Sequence, residues 1–264
     1  MWSRRQTLRL ALAAAASGGG ILLGGCSTRS PFDRPDTPRS LAPDESSPWP
    51  PPEQTANLFR PGSRHLLDGG QWATARTLPA GDLHLPSGKL VAADPSWLMS
   101  WERLGIASFT ATVPPGTYPL TLALVEWPED KRVAAAKLAI RDEPVAAWEM
   151  ALRPGQDPAT LREGEAFTVG VDVATIALFD TVALEAMAKR TEEDPGSYYV
   201  AEADRPVELQ DPASGANLIA FNTGWGDGGY PVWAGRTSTG AVASFLVDMA
   251  MLAPPPTPAS SSPS

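Results

Sequence analysis

The chain of 264 residues is poor in the side chains from which most metal and nucleophilic sites are built. It has one cysteine and two histidines, so neither an internal disulfide nor a cysteine-based zinc site can form within it. Acidic residues outnumber basic ones by 30 to 21, for a formal net charge of −9, and no basic stripe stands out. An acidic surface repels phosphate backbones. The sequence therefore predicts no metal site, no cofactor and no nucleic-acid partner.

A long apolar run of the kind that spans a bilayer is also lacking. Residues 8–23 are apolar but shorter than the roughly 20 residues of a robust transmembrane helix. Arg4, Arg5 and Arg9 lie before this apolar run or at its start, which is typical of a signal peptide. The segment "SRRQTLR" resembles a twin-arginine export motif, with Thr7 where that motif usually has a large apolar residue. A plain membrane anchor or an ordinary secretory signal is the alternative.

The segment "LLGGC" that follows resembles a lipobox, in which Cys26 is acylated and becomes the first residue of the mature protein. Two or more acyl chains, such as palmitate, anchor a protein stably because each buried methylene contributes roughly 0.8 kcal/mol. Removing residues 1–25 takes the net charge from −9 to −12. Anionic lipid would repel the remaining acidic protein, so the acyl chains alone would hold it at the membrane. We therefore expect an extracytoplasmic protein, lipid-anchored to the cell membrane or envelope.

Composition divides the chain into four parts. Residues 1–25 form the predicted cleaved signal peptide. Residues 26–56 are rich in Pro, Ser and charge, which predicts a disordered, semi-rigid tether. Residues 57–253 are expected to form a single globular domain, and residues 254–264 a disordered tail.

The pattern within the predicted domain is mainly β. Short apolar runs are separated by Gly- and Pro-rich turns, and "EAFTVGVD", "NLIAFN", "YPVWAG" and "AVASFLVDMAML" predict strands, the last with Ser244 and Asp248 on its polar face. The segment "TVALEAMAKR" predicts a helix with Asp180 as its N-cap, and "PSWLMSWERLG" a second short helix. The alanine-rich "KRVAAAKLAI" fits either a strand or a helix. We expect a β-sandwich or barrel-like sheet with one or two short helices.

The stretch "GWGDGGYPV" has the densest glycine content of the domain. Gly224, Gly226 and Gly229 satisfy G-x-G-x-x-G, but the residues after them predict a strand, whereas a dinucleotide site needs a helix N-terminus there. Repeat-type calcium binding needs stacked copies, and EF-hand spacing is absent. The simplest interpretation is a β-hairpin loop in which Asp227 bonds to the turn backbone.

A functional rim is the alternative interpretation of this stretch. Tryptophan beside glycine and aspartate is typical of carbohydrate-binding surfaces, although large aromatics also fill β cores. Two acids such as Asp180 and Asp227 would serve as general acid and base, or hold a divalent cation, if they converge. Otherwise the acids, including Asp94, Glu149 and Asp172, act as caps and ion pairs. The candidate rim residues are Trp225, Asp227, Tyr230, Trp233, Asp180 and Asp248.

Several motifs occur in the order typical of one family. They are "LPSGKLVAADP", "VPPGTYPL", "RVAAAKLAI" followed by "PVAAWEMAL", "VGVDVATIALFD", and "GWGDGGYPVWAG" followed by "TGAVASFLVDM". Over about residues 75–252 the chain resembles the bacterial family called domain of unknown function 4241. That family favours a glycine near Val173 to Thr175, which is lacking here. The family has no assigned activity, so the resemblance implies a fold and no catalytic residues.

Two functions remain open from the sequence. The first is a tethered binding or interaction module with a protein or glycan partner. The alternative is an acid-residue-based or metal-assisted hydrolase of the cell envelope. Convergence of Asp180, Asp227, Asp248 and Glu149 in one concave pocket would favour the enzyme, and their scatter would favour the binding module.

Overall fold

The computed structural model describes residues 52–162 and 165–253, together with the backbone of residues 38–39. The predicted signal peptide with Arg4, Arg5 and Cys26, most of the predicted tether and the predicted tail lie outside the described residues. Among the helices that are described, none is both long and apolar enough to cross a bilayer.

The described residues contain thirteen β-strands and three short α-helices, so the prediction of a mainly β fold is confirmed with one helix more than expected. The strands are β1 (Pro38–Arg39), β2 (Arg64–Leu66), β3 (Trp72–Leu85), β4 (Leu90–Ala93), β5 (Gly116–Trp127), β6 (Asp130–Ala139), β7 (Ala147–Met150), β8 (Ala166–Val171), β9 (Thr175–Asp180), β10 (Val207–Asp211), β11 (Ala216–Asn222), β12 (Gly228–Arg236) and β13 (Val242–Asp248). The helices are α1 (Pro52–Ala56), α2 (Trp101–Leu104) and α3 (Leu184–Glu193), and 3-10 helices cover Asn57–Phe59, Pro95–Ser100, Pro158–Thr160 and Thr181–Ala183.

The strands form two antiparallel sheets. The larger sheet is curled like half a barrel and has the order β1-β8-β12-β13-β6-β5-β3-β2, with β7 also paired to β12. The smaller sheet has the order β10-β11-β9-β4. The backbone of β1, which belongs to the predicted tether, pairs with the edge of β8.

The smaller sheet is buried on both faces. One face, with Leu178 and Ile219, joins the core formed with the larger sheet. The opposite face, with Phe179 and Leu218, packs against Met187 of α3 and against the 3-10 helix that precedes α2. This three-layer arrangement explains why β4, β9 and β11 are buried along almost their whole length and show no alternation of buried and exposed residues.

A segment before the predicted domain boundary covers the other face of the larger sheet. Pro52–Ala56 are helical, and Thr55 and, in the next turn, Leu58 are fully buried. The ordered polypeptide therefore extends five residues beyond the boundary predicted at residue 57. Because this segment lies over β13 at Asp248, that carboxylate is buried. Ser244 is buried as well, so the predicted polar face of β13 is wrong.

Two further expectations are corrected by the sheet order. The alanine-rich "KRVAAAKLAI" is a strand, β6, whose small side chains are buried between β5 and β13. The glycine-rich stretch is not a hairpin loop, because β11 belongs to the smaller sheet and β12 to the larger one. It is a crossover between two sheets, although the predicted connection of strand to strand is confirmed.

Candidate functional site

The crossover between the sheets, residues 223–227, requires glycine where it passes over β6. Gly224 has a φ of 61°, and a Cβ atom there would lie 2.3 Å from the carbonyl oxygen of Val133 and 2.8 Å from Sδ of Met251. A backbone oxygen cannot move aside as a flexible side chain can. The chain therefore lies in direct backbone contact with the sheet at this point.

Hydrogen bonds fix the shape of the crossover. Thr223 Oγ1 and the hydroxyl of Tyr230 each donate to the carbonyl oxygen of Gly226, at 2.7 Å in both cases. The Gly224 amide donates to Asn222 Oδ1 at 2.9 Å. Tyr230 is buried, so this predicted rim residue supports the crossover from below and is not exposed to a ligand.

Asp227 binds a neighbouring turn and not its own. Its Oδ1 accepts a hydrogen bond of 3.0 Å from the amide of Ala174, in the turn between β8 and β9. Ala174 has a φ of 52°, a left-handed conformation that costs a non-glycine residue about 1–2 kcal/mol. This is the place where the resembled family favours glycine, so the bond to Asp227 stabilises a strained alanine.

Asp94 holds the first half of the same turn. Its Oδ2 accepts from the amides of Asp172 at 2.6 Å and Val173 at 3.2 Å, and its Oδ1 accepts from the amide of Ser96 at 2.7 Å. Burial raises the pKa of Asp94, while these bonds act in the opposite direction. Trp97 Nε1 donates to Asp172 Oδ2 at 3.1 Å, which adds a further hydrogen bond to this turn.

An arginine joins the crossover to the β5–β6 hairpin. The guanidinium carbon of Arg132 lies 4.9 Å from the ring centroid of Trp225 and 6.0 Å from that of Trp127. Its Nε donates to Asp130 Oδ2 at 2.7 Å and its Nη1 to the carbonyl oxygen of Gly224 at 3.1 Å. Partly exposed arginine–indole contacts of this kind contribute about 0.5–1 kcal/mol.

These contacts create one exposed surface, which we name the crossover rim. Trp225 is 40% exposed and Val173 is 36% exposed. The bond from Ala174 to Asp227 places the β8–β9 turn beside the crossover. The crossover rim consists of Trp127, Arg132, Val173, Trp225 and Asp227.

The structure does not bring Asp180 to the crossover rim. Asp180 ends β9, whereas Asp227 binds the turn that precedes Thr175 at its start, so the length of the strand, roughly 17 Å, separates them. Asp180 is fully buried and accepts from the amides of Val182 at 2.9 Å and Ser87 at 2.8 Å. The predicted N-cap role is thereby confirmed.

Asp248 lies beneath α1, away from solvent. Its Oδ2 accepts from Thr55 Oγ1 at 2.9 Å and its Oδ1 from the amide of Ala250 at 2.8 Å. Burial raises the pKa of Asp248 to about 6, against the effect of the two hydrogen bonds. This carboxyl contacts the chain itself and is not open to a substrate.

The other predicted residues lie on β12 and its neighbour β7. Trp233 is half-buried in β12, and its Nε1 is buried without a hydrogen-bond partner among the described residues. Glu149, on β7, forms an ion pair of 2.6 Å with Arg236 Nη2 at the surface. In the described part of the chain, no group of three or more His, Cys, Asp or Glu side chains is placed to hold a metal ion.

Most of these aspartates share one local task. Each accepts a hydrogen bond from the backbone amide two residues later, which fixes a turn or the start of a helix. Three of the six acids considered as candidates, Asp94, Asp180 and Asp248, are therefore turn-forming groups. The six aspartates of this kind are Asp94, Asp157, Asp180, Asp194, Asp211 and Asp248.

Three members of the crossover rim are not identified from the sequence. Trp127 and Arg132 flank "PEDK", of which Pro128 and Glu129 form the two-residue tip of the β5–β6 hairpin, and a turn signal at Pro128 was available there. Their contact with Trp225 joins positions about ninety residues apart, which no local pattern reveals. Val173 lies where the resembled family has its glycine preference, and that was the one sequence signal for this turn.

Comparison with known proteins gives one match. A family model described as "Protein of unknown function (DUF4241)" matches residues 83–247, which include the whole smaller sheet, the crossover and the strands of the larger sheet from β5 to β12. No curated protein and no solved structure is significantly similar to the chain.

Proposed function

We propose that this chain, which belongs to the DUF4241 family of proteins of unknown function, is a non-catalytic binding module whose partner contacts the crossover rim. The observation that carries the proposal is the rigid presentation of Trp225. Its ring is stacked with Arg132, and its loop is bonded to the sheet through Gly224 and Gly226. A preorganised aromatic side chain loses little entropy on binding.

The positions of the acids support the same proposal. Asp180, Asp227 and Asp248 lie at separate places, and Asp180 and Asp248 are fully buried as acceptors of backbone and hydroxyl hydrogen bonds. A general acid or base must reach its substrate within hydrogen-bond distance. An acid-based hydrolase needs these acids to converge in one pocket, so their separation favours a binding module.

Crosslinking in intact cells tests the proposal without assuming the chemistry of the partner. We would place a benzophenone side chain at Val173, in the turn bonded to the crossover through Asp227, and in a control protein at Val182, an equally small residue that is 45% exposed at the start of the α3 region. We expect a crosslinked species from position 173 that is lost when Trp225→Ala is added. Equal crosslinking from both positions, or from neither, contradicts the proposal.

We also propose that the module is presented on the extracytoplasmic face by a lipid on Cys26. Support comes from the sequence of residues 1–26 alone, with its arginines, apolar run and lipobox. Two acyl chains suffice for stable anchoring of a body with net charge −12. Cell fractionation of Cys26→Ala should move the protein from the membrane fraction to the soluble fraction, and continued membrane association would refute lipid anchoring.

A further inference from the structure

We infer that the crossover rim is a subsite for a neutral saccharide, with the sugar ring stacked on Trp225. This inference rests on the proposed binding function and names the chemical class of its ligand. The indole is 40% exposed, and Arg132 lies against the ring at 4.9 Å. The apolar face of a sugar ring packs on such a surface because both are flat, rigid and amphipathic.

Arg132 and Asp227 supply the polar side chains of the crossover rim. Arg132 donates through Nε and Nη1, and Asp227 accepts through Oδ1. Within the described residues, no hydrogen bond reaches Arg132 Nη2 or Asp227 Oδ2. A charged donor and a charged acceptor on the same rim match the hydroxyl groups of a sugar, each of which both donates and accepts.

The charges around the rim favour a neutral sugar over an acidic one. Asp130 already pairs with the guanidinium of Arg132, and Asp227 adds a second carboxylate. The chain as a whole is acidic, with a net charge of −9. A uronic acid or phosphorylated sugar would therefore be repelled, whereas a neutral hexose or N-acetylhexosamine would not.

The size of the rim favours a saccharide over a protein partner. At 40% exposure Trp225 offers about 100 Å² of surface, since a whole aromatic side chain buries roughly 150–250 Å². Val173 adds a smaller exposed area. A stable protein interface takes about 800 Å² from each partner with an apolar core. The rim fits one or two sugar rings and not an interface of that size.

Titration calorimetry of the full chain in detergent micelles tests the inference. The probes are chitohexaose and cellohexaose as neutral oligosaccharides, with polygalacturonate as the acidic comparison. We expect binding of at least one neutral probe. Trp225→Ala should weaken it about tenfold or more, Trp225→Phe should weaken it less, and Asp227→Asn should lower affinity while keeping the oxygen that accepts from Ala174.

Trp72 supplies the matched control. It is 55% exposed on β3 with the Arg64 guanidinium 5.3 Å from its ring centroid, so it reproduces the arginine–indole contact away from the crossover rim. Trp72→Ala should leave oligosaccharide affinity unchanged. Melting temperatures of all variants establish that each folds.

Three results would overturn the inference: no binding of either neutral probe, equal weakening by Trp72→Ala and Trp225→Ala, or preference for polygalacturonate. The crosslinking experiment separates this failure from that of the proposed function. If position 173 captures a protein while neither oligosaccharide binds, the ligand class is wrong and the binding module stands. If neither experiment detects a partner, both proposals fail.

Discussion

Asp248 has a carboxyl group whose two oxygens bind Thr55 and Ala250 in the interior of the protein. Burial raises its pKa to about 6, above the value of about 3.9 for an aspartate in the unfolded chain. Between pH 4 and 6 the folded state therefore holds a proton that the unfolded state has released. The free energy of unfolding falls as the pH rises through this window, by about 3 kcal/mol at most.

Replacing Asp248 with asparagine should remove this pH dependence. The amide oxygen still accepts from Ala250, and the hydroxyl of Thr55 can rotate to accept from the new NH₂ group. We expect Asp248→Asn to unfold at higher denaturant concentration than the wild type at pH 8 and at a similar one at pH 4. Urea unfolding at several pH values measures the difference.

The alanine variant at the same position separates charge from hydrogen bonding. Asp248→Ala loses both acceptors and leaves Thr55 and Ala250 without their partner, so it should be less stable than Asp248→Asn at every pH. Burial also raises the pKa of Asp94. The free energy of unfolding of every one of these variants therefore keeps some dependence on pH. A pH dependence of Asp248→Asn identical to that of the wild type would show that Asp248 does not titrate in this range.

At the scale of elements, the 3-10 helix Pro95–Ser100 and the β8–β9 turn are joined through one side chain. Asp94 caps the helix by accepting from Ser96 and binds the turn through Asp172 and Val173. Asp157 precedes a second Asp-Pro 3-10 helix and accepts from Ala159, but it is exposed and bonds to no other element. The two aspartates share a motif and differ in what they connect.

Substitution of these two caps should therefore have unequal costs. Asp157→Ala should lower the free energy of unfolding by about 1 kcal/mol, the usual cost of a lost cap. Asp94→Ala should cost about 3 kcal/mol or more, because it also leaves the amides of Asp172 and Val173 without an acceptor. Chemical denaturation measures both variants, and equal costs would mean that the bonds to the turn contribute little.

Local patterns predicted most of the elements themselves. Alternation identified β8 and β13, and the position of Asp180 before an apolar run identified the helical region that it caps. The alanine-rich β6 stayed ambiguous because alanine has high helix propensity and little preference for a sheet face. Its pairing with β5 and β13 decides its conformation, and pairing is a tertiary property.

At the scale of the whole molecule, the assignment of strands to sheets could not be predicted from the sequence. Successive strands usually pair, and this expectation made the glycine-rich stretch a hairpin loop. Here β11 and β12 lie in different sheets. The crossover rim depends on that arrangement, because it brings Trp225 to Arg132 and Asp227 to Ala174. Its glycines were visible in the sequence, but its polar and aromatic partners were not.

The periodicity of the sequence likewise did not show that an N-terminal segment packs on the larger sheet. Alternation along β13 separates two faces, but it does not show that a remote segment covers the second one. Thr55 reaches that face from a region whose composition predicts a disordered tether. The burial of Asp248 on β13 follows from this contact.

Leu58 therefore tests whether the N-terminal segment belongs to the folded unit. It is fully buried in the core shared with the larger sheet, and truncation of such a leucine costs about 2–5 kcal/mol. Leu66, on the edge strand β2, is the matched control because it is exposed, and Leu66→Ala should change the free energy of unfolding by about 0.5 kcal/mol or less.

Urea unfolding of the full chain, followed by circular dichroism and by tryptophan fluorescence, should show a single transition that Leu58→Ala moves to lower denaturant with both probes. The probes should move together because the segment packs on the same core that joins the two sheets. If Leu58→Ala behaves like Leu66→Ala, residues 52–59 are an appendage and the cooperatively folded unit begins after residue 59.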